Sequence, residues 1–296
     1  MKILLTGKNG QVGWELARAL VPLGEVIAFD RMGLDLAEPD QLVAAVRSVR
    51  PDVLVNAAAY TAVDRAESEP DAAYAINAAA VAILADEAKR VQALLIHYST
   101  DYVFDGTKDT PYTEEDRPNP LNAYGRSKLA GEQAIHEIGG AHLILRTSWV
   151  YSARGKNFLL AIRRSLQEKK ELRVVSDQIG APTSAGALAQ GTAELLSRDG
   201  VAALGGARDV YHMTAGGFTS WHGFATEIAR LERPDAPARI VPIASSEYPT
   251  PAHRPGNSRL SNEKLLRRFG VALPEWEVCL EAFYKMRREG GGRPHD

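Results

Sequence analysis

Ile3-Leu4-Leu5-Thr6-Gly7-Lys8-Asn9-Gly10-Gln11-Val12-Gly13 stands at the head of this 296-residue chain, and its reading decides the fold. The three apolar residues make a strand candidate, and Val12, Leu16 and Leu20 then recur at the i, i+4, i+8 spacing of a helix face. Between them, glycines at 7, 10 and 13 allow a sharp turn, let the backbone approach a ligand, and leave room for helix to pack on strand. A helix starting there offers unpaired N–H groups to an anion such as a diphosphate. Strand, glycine turn and helix in that order predict a dinucleotide-binding unit.

The pattern continues outward. Val26-Ile27-Ala28-Phe29 is a second strand, and Pro39 opens a helix carrying Leu42, Val43 and Val46 that stops before Pro51. Val53-Leu54-Val55, an alanine-rich helix over Asp71–Arg90, Leu94-Leu95-Ile96, a helix around Tyr124–Ile135 and Leu143-Ile144-Leu145 follow. The strands are continuously apolar, as strands covered on both faces are. Such alternation predicts an α/β, Rossmann-type doubly wound parallel sheet with a smaller C-terminal substrate-binding domain. The division expected is 1–150 for the NAD(P)-binding Rossmann domain, joined by short segments near 172–176 and 208–228, and 151–296 mainly for substrate. Helices are predicted near Asn157–Lys169, Ala185–Ser197 and Trp221–Arg230, with a short strand at Arg173-Val174-Val175. The proline-rich stretch Arg233–Pro255 reads as loop, and Gly290–Pro294 as a frayed end.

Composition narrows the function classes. Apolar residues make up 45% and charged residues 24%, which is globular rather than disordered. Lys plus Arg number 35 against 37 Asp plus Glu, a net charge of −2, so no broad electrostatic footprint for nucleic acid or a membrane surface exists. A single cysteine, Cys279, excludes an internal disulfide, and no apolar run approaches the ~20 residues of a membrane span. A cytoplasmic protein acting on a small molecule is the expectation.

Candidate site residues fall at the strand ends. Asp30 ends the second strand about 20 residues past the glycine loop, where a carboxylate meets an adenosine ribose. Arg31 beside it suits a 2′-phosphate, so the choice between NADH and NADPH stays open. Asp35-Leu36 lies toward the adenine, and Ala57-Ala58-Ala59 leaves room for a cofactor. Tyr124 and Lys128 are at i and i+4 on one helix face, and Ser99-Thr100 ends the fourth strand. Carbonyl reduction needs a proton donor opposite the hydride, and a lysine charge ~4 Å from a phenol is worth about 4 kcal/mol at an effective dielectric near 20, enough to tune it. Trp149 reads either as core or as an indole platform for a sugar, and Arg254 and Arg259 either as surface or as forks for a nucleotide diphosphate. His97 and His142 read as core histidines, and Asn77 equally as a water-organising group or a kink.

These residues resemble the extended short-chain dehydrogenase/reductase family, with its glycine loop, Ser/Thr and Tyr-x-x-x-Lys. GKNGQVGWEL (7–16), NAAAYTAVDRAESEP (56–70), STDYVF (99–104), RTSWVY (146–151), DQIGAPT (177–183) and YPTPAHRPGNSRL (248–260) are similar to one branch of it, the reductases of dTDP-linked keto sugars. The resemblance covers nearly the whole chain. It implies reduction of dTDP-4-dehydro-β-L-rhamnose to dTDP-β-L-rhamnose by NADPH or NADH, the last step in making that sugar donor. It also implies catalytic roles for Thr100, Tyr124 and Lys128. Cofactor binding is implied for Gln11, Val12, Asp30, Asp35, Leu36, Ala59, Tyr60 and Thr61 beside Gly7, Gly10, Tyr124 and Lys128, and sugar binding for Thr100, Asp101 and Trp149. Tyr60 departs from the histidine that relatives often carry. Magnesium and a homodimer are expectations from the resemblance alone, with no metal-ligand spacing in the sequence and so no metal residues named. Two other readings compete. A dehydratase or epimerase of the same family keeps its cofactor through turnover, and the dehydratases carry an Asp-Glu pair after the Thr, where this chain has Asp101-Tyr102. A non-catalytic cofactor-binding regulatory subunit would have no need of the RTSWVY segment.

Overall fold

The structure is a computed structural model that describes residues 1–198, 204, 206–233 and 238–289. The predicted frayed end at 290–294 lies outside the described residues. Six parallel strands form the central sheet: β1 (Lys2–Thr6), β2 (Glu25–Phe29), β3 (Val53–Asn56), β4 (Leu94–Thr100), β5 (His142–Thr147) and, after four short later strands, β10 (Arg208–His212). Those four are β6 (Val150–Tyr151), β7 (Glu171–Val175), β8 (Ile179–Gly180) and β9 (Thr183–Ser184). The spatial order is β2-β1-β3-β4-β5-β10, every pairing parallel. The order reverses between β1 and β3, which opens a crevice over the carboxyl ends of the strands.

The apolar runs are continuous because both faces are covered. Leu4, Leu54, Leu95 and Ile144 pack beneath α2 (Pro39–Val49) and α5 (Ala80–Arg90). Ile3, Leu5, Val55, Ile96 and Leu145 meet α1 (Gln11–Ala19) and the later helix Ala185–Arg198 on the other side. The alanine-rich helix predicted over 71–90 is not regular. Pro70–Tyr74 passes through a π turn at Ala75–Ala79 before α5 begins, and Asn77 sits in that turn. Such bulges gather at functional sites.

The second core holds Tyr151, Leu159, Leu172, Val174, Phe224, Ile228, Trp276 and Leu280. Two expectations are corrected here. The segment near 172–176 does not rejoin the large sheet; β7 pairs with β12 (Arg239–Ile243), because Leu172 and Val174 face this second core. β12 itself lies in the stretch read as loop. Its Pro242 disguised the strand, but a two-stranded pairing leaves one edge free, where a missing N–H costs nothing. Of the segment near 208–228, β10 does join the large sheet beside β5, whereas helix Trp221–Glu232 packs in the second core. Residues beyond 150 therefore contribute to both cores, since Leu188, Leu195, Met213, Leu265 and Phe269 belong to the first.

Candidate active site

One crevice of about 990 Å³ runs along the strand ends from the glycine loop to Trp149 and Trp221. At its far end Gly13 lets α1 seat on the loop, since a Cβ there would lie 2.1 Å from the Gly7 carbonyl oxygen. Gln11 ties this loop to the second half of the chain: its Oε1 accepts from Asn157 Nδ2 at 2.8 Å and Ser152 Oγ at 3.1 Å. Asp30 accepts from the Gly33 amide at 3.0 Å and from Asn9 Nδ2 at 3.1 Å, and lies 3.5 Å from Lys8 Nζ. The Gly33 amide foremost, with Lys8, holds its carboxyl below the usual range. Arg31 is engaged by Asp35 at 3.1 Å and otherwise exposed. This end thus carries both a carboxylate for ribose hydroxyls and cations for a phosphate.

Asn77 directs its side-chain amide to protein partners. Its Oδ1 accepts from the Tyr60 amide at 2.9 Å, while Nδ2 donates to the Tyr60 carbonyl at 3.0 Å and to Ser127 Oγ at 2.9 Å. It clamps the loop after β3 onto α6 (Ala123–Ile138), the helix that carries Tyr124 and Lys128. Asn122 caps α6 by accepting from the Gly125 amide at 2.8 Å. A Cβ on Gly125 would lie 2.2 Å from the Tyr102 carbonyl oxygen, so glycine alone allows α6 to press on the turn that follows Thr100. This brings Tyr124, Thr100 and Asp101 to one wall of the crevice.

The electrostatics at this wall differ from the sequence expectation. Burial pushes the Tyr124 phenol above its ordinary value, with the Thr100 hydroxyl opposing. Lys128 donates to the Tyr98 carbonyl at 2.7 Å and lies 3.1 Å from His97 Nε2. Burial brings Lys128 down to about 8, Glu132 opposing. The sequence places the lysine charge at the phenol; in the protein alone the hydrogen bonds of Lys128 run to β4.

Asp101 is 3% exposed; its Oδ1 accepts from Thr100 Oγ1 at 3.1 Å, and its buried Oδ2 has no hydrogen-bond partner. Burial raises its carboxyl to about 6, with Ser258 and Thr100 opposing. Between pH 4 and 6 the folded protein keeps a proton that the unfolded chain has lost, so this group's contribution to stability falls as pH rises through 6. Asp101→Asn is expected to leave stability unchanged at pH 4 and to raise it by about 2–3 kcal/mol at pH 8. Urea melts of both proteins at the two pH values check this, and an equal difference at both would refute it.

Trp149 is half-buried, with backbone φ of +48°, and stacks on Trp221 at 3.5 Å between ring centroids and 8° between planes. Trp221 Nε1 donates to Gln178 Oε1 at 3.2 Å. Both indoles line the crevice, so Trp149 is not plain core. Arg254 lines it as well, bridging Asp64 at 2.9 Å and Tyr102 OH at 3.3 Å, with its Nε buried and unpartnered. Arg259 does not reach the crevice. The Tyr112 amide donates to the Arg259 carbonyl and fixes the loop there, and the guanidinium bonds Asn257 Oδ1 at 2.8 Å and the Asp109 carbonyl at 2.5 Å.

Comparison with known proteins gives the family. Residues 1–288 match the family described as RmlD substrate binding domain. A dTDP-4-dehydrorhamnose reductase of Burkholderia thailandensis is 55% identical over 288 residues, covering 95% of this chain and 97% of that protein. The chain belongs to the dTDP-4-dehydrorhamnose reductase family. A solved family structure from Clostridium acetobutylicum superposes with a TM-score of 0.91 at 37% identity, covering 97% of this chain and 100% of that one. Another, from Bacillus anthracis in complex with NADP, gives 0.88 at 36%, covering 96% and 99%.

Most of the residues that the sequence marks share one neighbourhood. Gly7, Gly10, Gln11, Val12, Asp30, Asp35, Leu36, Ala59, Tyr60 and Thr61 line one crevice with Thr100, Asp101, Tyr124, Lys128, Trp149 and Arg254. Tyr60, the departure from the family pattern, donates to Glu69 Oε2 at 2.8 Å, and Arg65 holds the same carboxylate. Trp221 and Glu132 carry no motif, and Arg146 and Gln178 stand in the RTSWVY and DQIGAPT segments without a role legible there, since their partners Glu132 and Trp221 are brought to them only by the fold. His142 is a core histidine, on the Gly140 carbonyl at 2.8 Å. No group of three His, Cys, Asp or Glu side chains that could hold magnesium occurs among the described residues.

Proposed function

We propose that this chain reduces the C4 keto group of dTDP-4-dehydro-β-L-rhamnose with NADPH or NADH, giving dTDP-β-L-rhamnose, the last step in making that sugar donor. The observation that carries the reading is the convergence of Thr100, Tyr124 and Lys128 at the middle of a crevice with a glycine loop at one end and stacked indoles at the other. The relatives named for this reaction match over almost the full length of the chain. The cradle fits a dinucleotide: Gly7 has φ of +77°, and a Cβ there would lie 2.9 Å from the Ala58 amide nitrogen. When bound, the reduced nicotinamide supplies the hydride. The chain's own residues do the rest.

Tyr124 keeps its proton across physiological pH because it is buried, which is the state a proton donor needs. A secondary alkoxide is a stronger base than a phenolate, so the transfer from Tyr124 to the reduced oxygen runs downhill. The Thr100 hydroxyl, fixed by Asp101 and the Tyr102 amide, stands beside the phenol to hold the same oxygen. Asp101 Oδ2, buried and without a hydrogen-bond partner, would accept a sugar hydroxyl. Trp149 and Trp221 offer an apolar face to the deoxysugar, and Arg254 a guanidinium to the diphosphate.

Consumption of NADPH with enzymatically generated dTDP-4-dehydrorhamnose, with and without magnesium, tests the reading. One oxidation per substrate is expected, and kcat/KM for NADPH and NADH within about tenfold, since Asp30 and the Lys8 and Arg31 cations oppose one another toward a 2′-phosphate. Cofactor returned unchanged after turnover would point instead to an epimerase or dehydratase. A cytoplasmic site of action and a homodimer belong to the same proposal. Support for the first is that no described helix is long and apolar enough to cross a membrane and that Cys279 is free and buried; the second rests on family resemblance and is read by sedimentation.

A further inference from the structure

His97 and Asn56 lie directly behind the catalytic lysine. Thr6, Asn56 and His97 are register partners on β1, β3 and β4, so their side chains stand in a row on one face of the sheet. All three are buried, as is Lys128, which comes down on the row from α6. The hydrogen bonds fix a direction along it. Asn56 Oδ1 is taken by two donors, Thr6 Oγ1 at 2.6 Å and the Ala58 amide at 3.3 Å. The Ala58 amide can only donate, so Asn56 must present Nδ2 to His97 Nδ1, 3.0 Å away. An imidazole that accepts at Nδ1 carries its proton on Nε2 when neutral, and Nε2 lies 3.1 Å from Lys128 Nζ.

Two N–H donors cannot share a 3.1 Å contact. We propose that His97 is a positioning residue for the catalytic lysine: its Nε2–H donates to Lys128 as an uncharged amine and so lowers that lysine's affinity for a proton. The amine keeps its own donors for the Tyr98 carbonyl. The burial that lowers both groups acts in the same direction, and His97 itself stays uncharged well below its ordinary range. The other titratable groups facing Lys128 are Glu132, one turn on, and Tyr124, one turn back, both on α6. Glu132 favours the ammonium form, but its carboxylate is held by Arg146 of β5 at 2.6 and 2.9 Å. The row serves the proposed reaction, on which this part of the inference rests: a lysine of lowered proton affinity gives up a proton to the Tyr124 phenolate after each turnover more readily than one of ordinary pKa.

The test needs neither substrate nor cofactor, so its failure is distinct from failure of the reductase reading. Nitrogen-15 spectra of histidine-labelled protein give the His97 tautomer, and carbon-13 spectra of lysine-labelled protein give the Lys128 titration. His97→Gln and Lys128→Met assign the signals. Expected are a neutral His97 protonated at Nε2 from pH 6 to 9, and a Lys128 titration that moves up by about one pH unit in His97→Gln, the worth of one buried hydrogen bond. A proton on Nδ1, or a Lys128 titration unmoved in the folded variant, overturns the proposal. Should His97→Gln fail to fold, the tautomer in the unaltered protein decides it, with the signal assigned by elimination from variants of the other histidines.

Discussion

Tyr124→Phe is expected to lower kcat by about 10²- to 10⁴-fold while leaving NADPH affinity and melting temperature nearly unchanged. The ring stays edge-on to Tyr102, with centroids 5.6 Å apart and planes at 75°, so the packing that seats it survives. What is lost is the single proton donor at the reacting oxygen, and a positioned general acid contributes roughly that factor. Thr100 cannot replace it, because an aliphatic hydroxyl is a far weaker acid than a phenol: it can hold the oxygen but does not give up its proton to it. Lys128→Met should cost at least as much, and the double variant little more than the worse single one, since the lysine acts through the phenol. Stopped-flow oxidation of NADPH at saturating substrate measures this. A Tyr124→Phe enzyme keeping a third of its kcat would remove Tyr124 from the mechanism.

Arg146→Met is expected to cost about 3–5 kcal/mol of stability, the largest loss from any single polar side chain discussed here. Arg146 is 4% exposed and Glu132 2%, and the guanidinium meets the carboxylate through two hydrogen bonds while lying over the Phe104 ring at 5.1 Å. Removing the arginine leaves a buried carboxylate with no hydrogen-bonded cation and only Lys128, one turn away, to balance it. The lysine should then hold its proton to higher pH. Arg146→Met with Glu132→Leu should recover most of the stability, because two apolar side chains replace a buried pair at little cost. Urea unfolding of the single and double variants separates the cases; a single variant within 1 kcal/mol of the parent would show that water reaches Glu132.

How much of this was legible in advance depends on how local each signal is. Val53-Leu54-Val55 and Leu143-Ile144-Leu145 announce strands covered on both faces because burial on two sides leaves no polar position. The glycine loop and the Tyr124/Lys128 spacing are equally local, as each is set by one turn or one helix. β12 was hidden because Pro242 argues against a strand unless its free edge is known. Arg259 was misplaced for a related reason. A guanidinium in a polar loop suits a diphosphate, and only the pairing of that loop with Tyr112 turns it toward the Asp109 carbonyl.

The sequence by itself determined the alternation of strands and helices, the cofactor loop and the identities of the reacting side chains. Each of these follows from periodicity, glycine geometry or functional-group chemistry within a short stretch. The tertiary structure decided which side chains meet. Trp149 and Trp221 are far apart in sequence yet stacked, and Lys128 meets a histidine on β4. Strand order and register set those meetings: Thr6, Asn56 and His97 form a row only because β1, β3 and β4 are neighbours in step. No local pattern encodes that step, since it is fixed by how two cores close on both faces of one sheet.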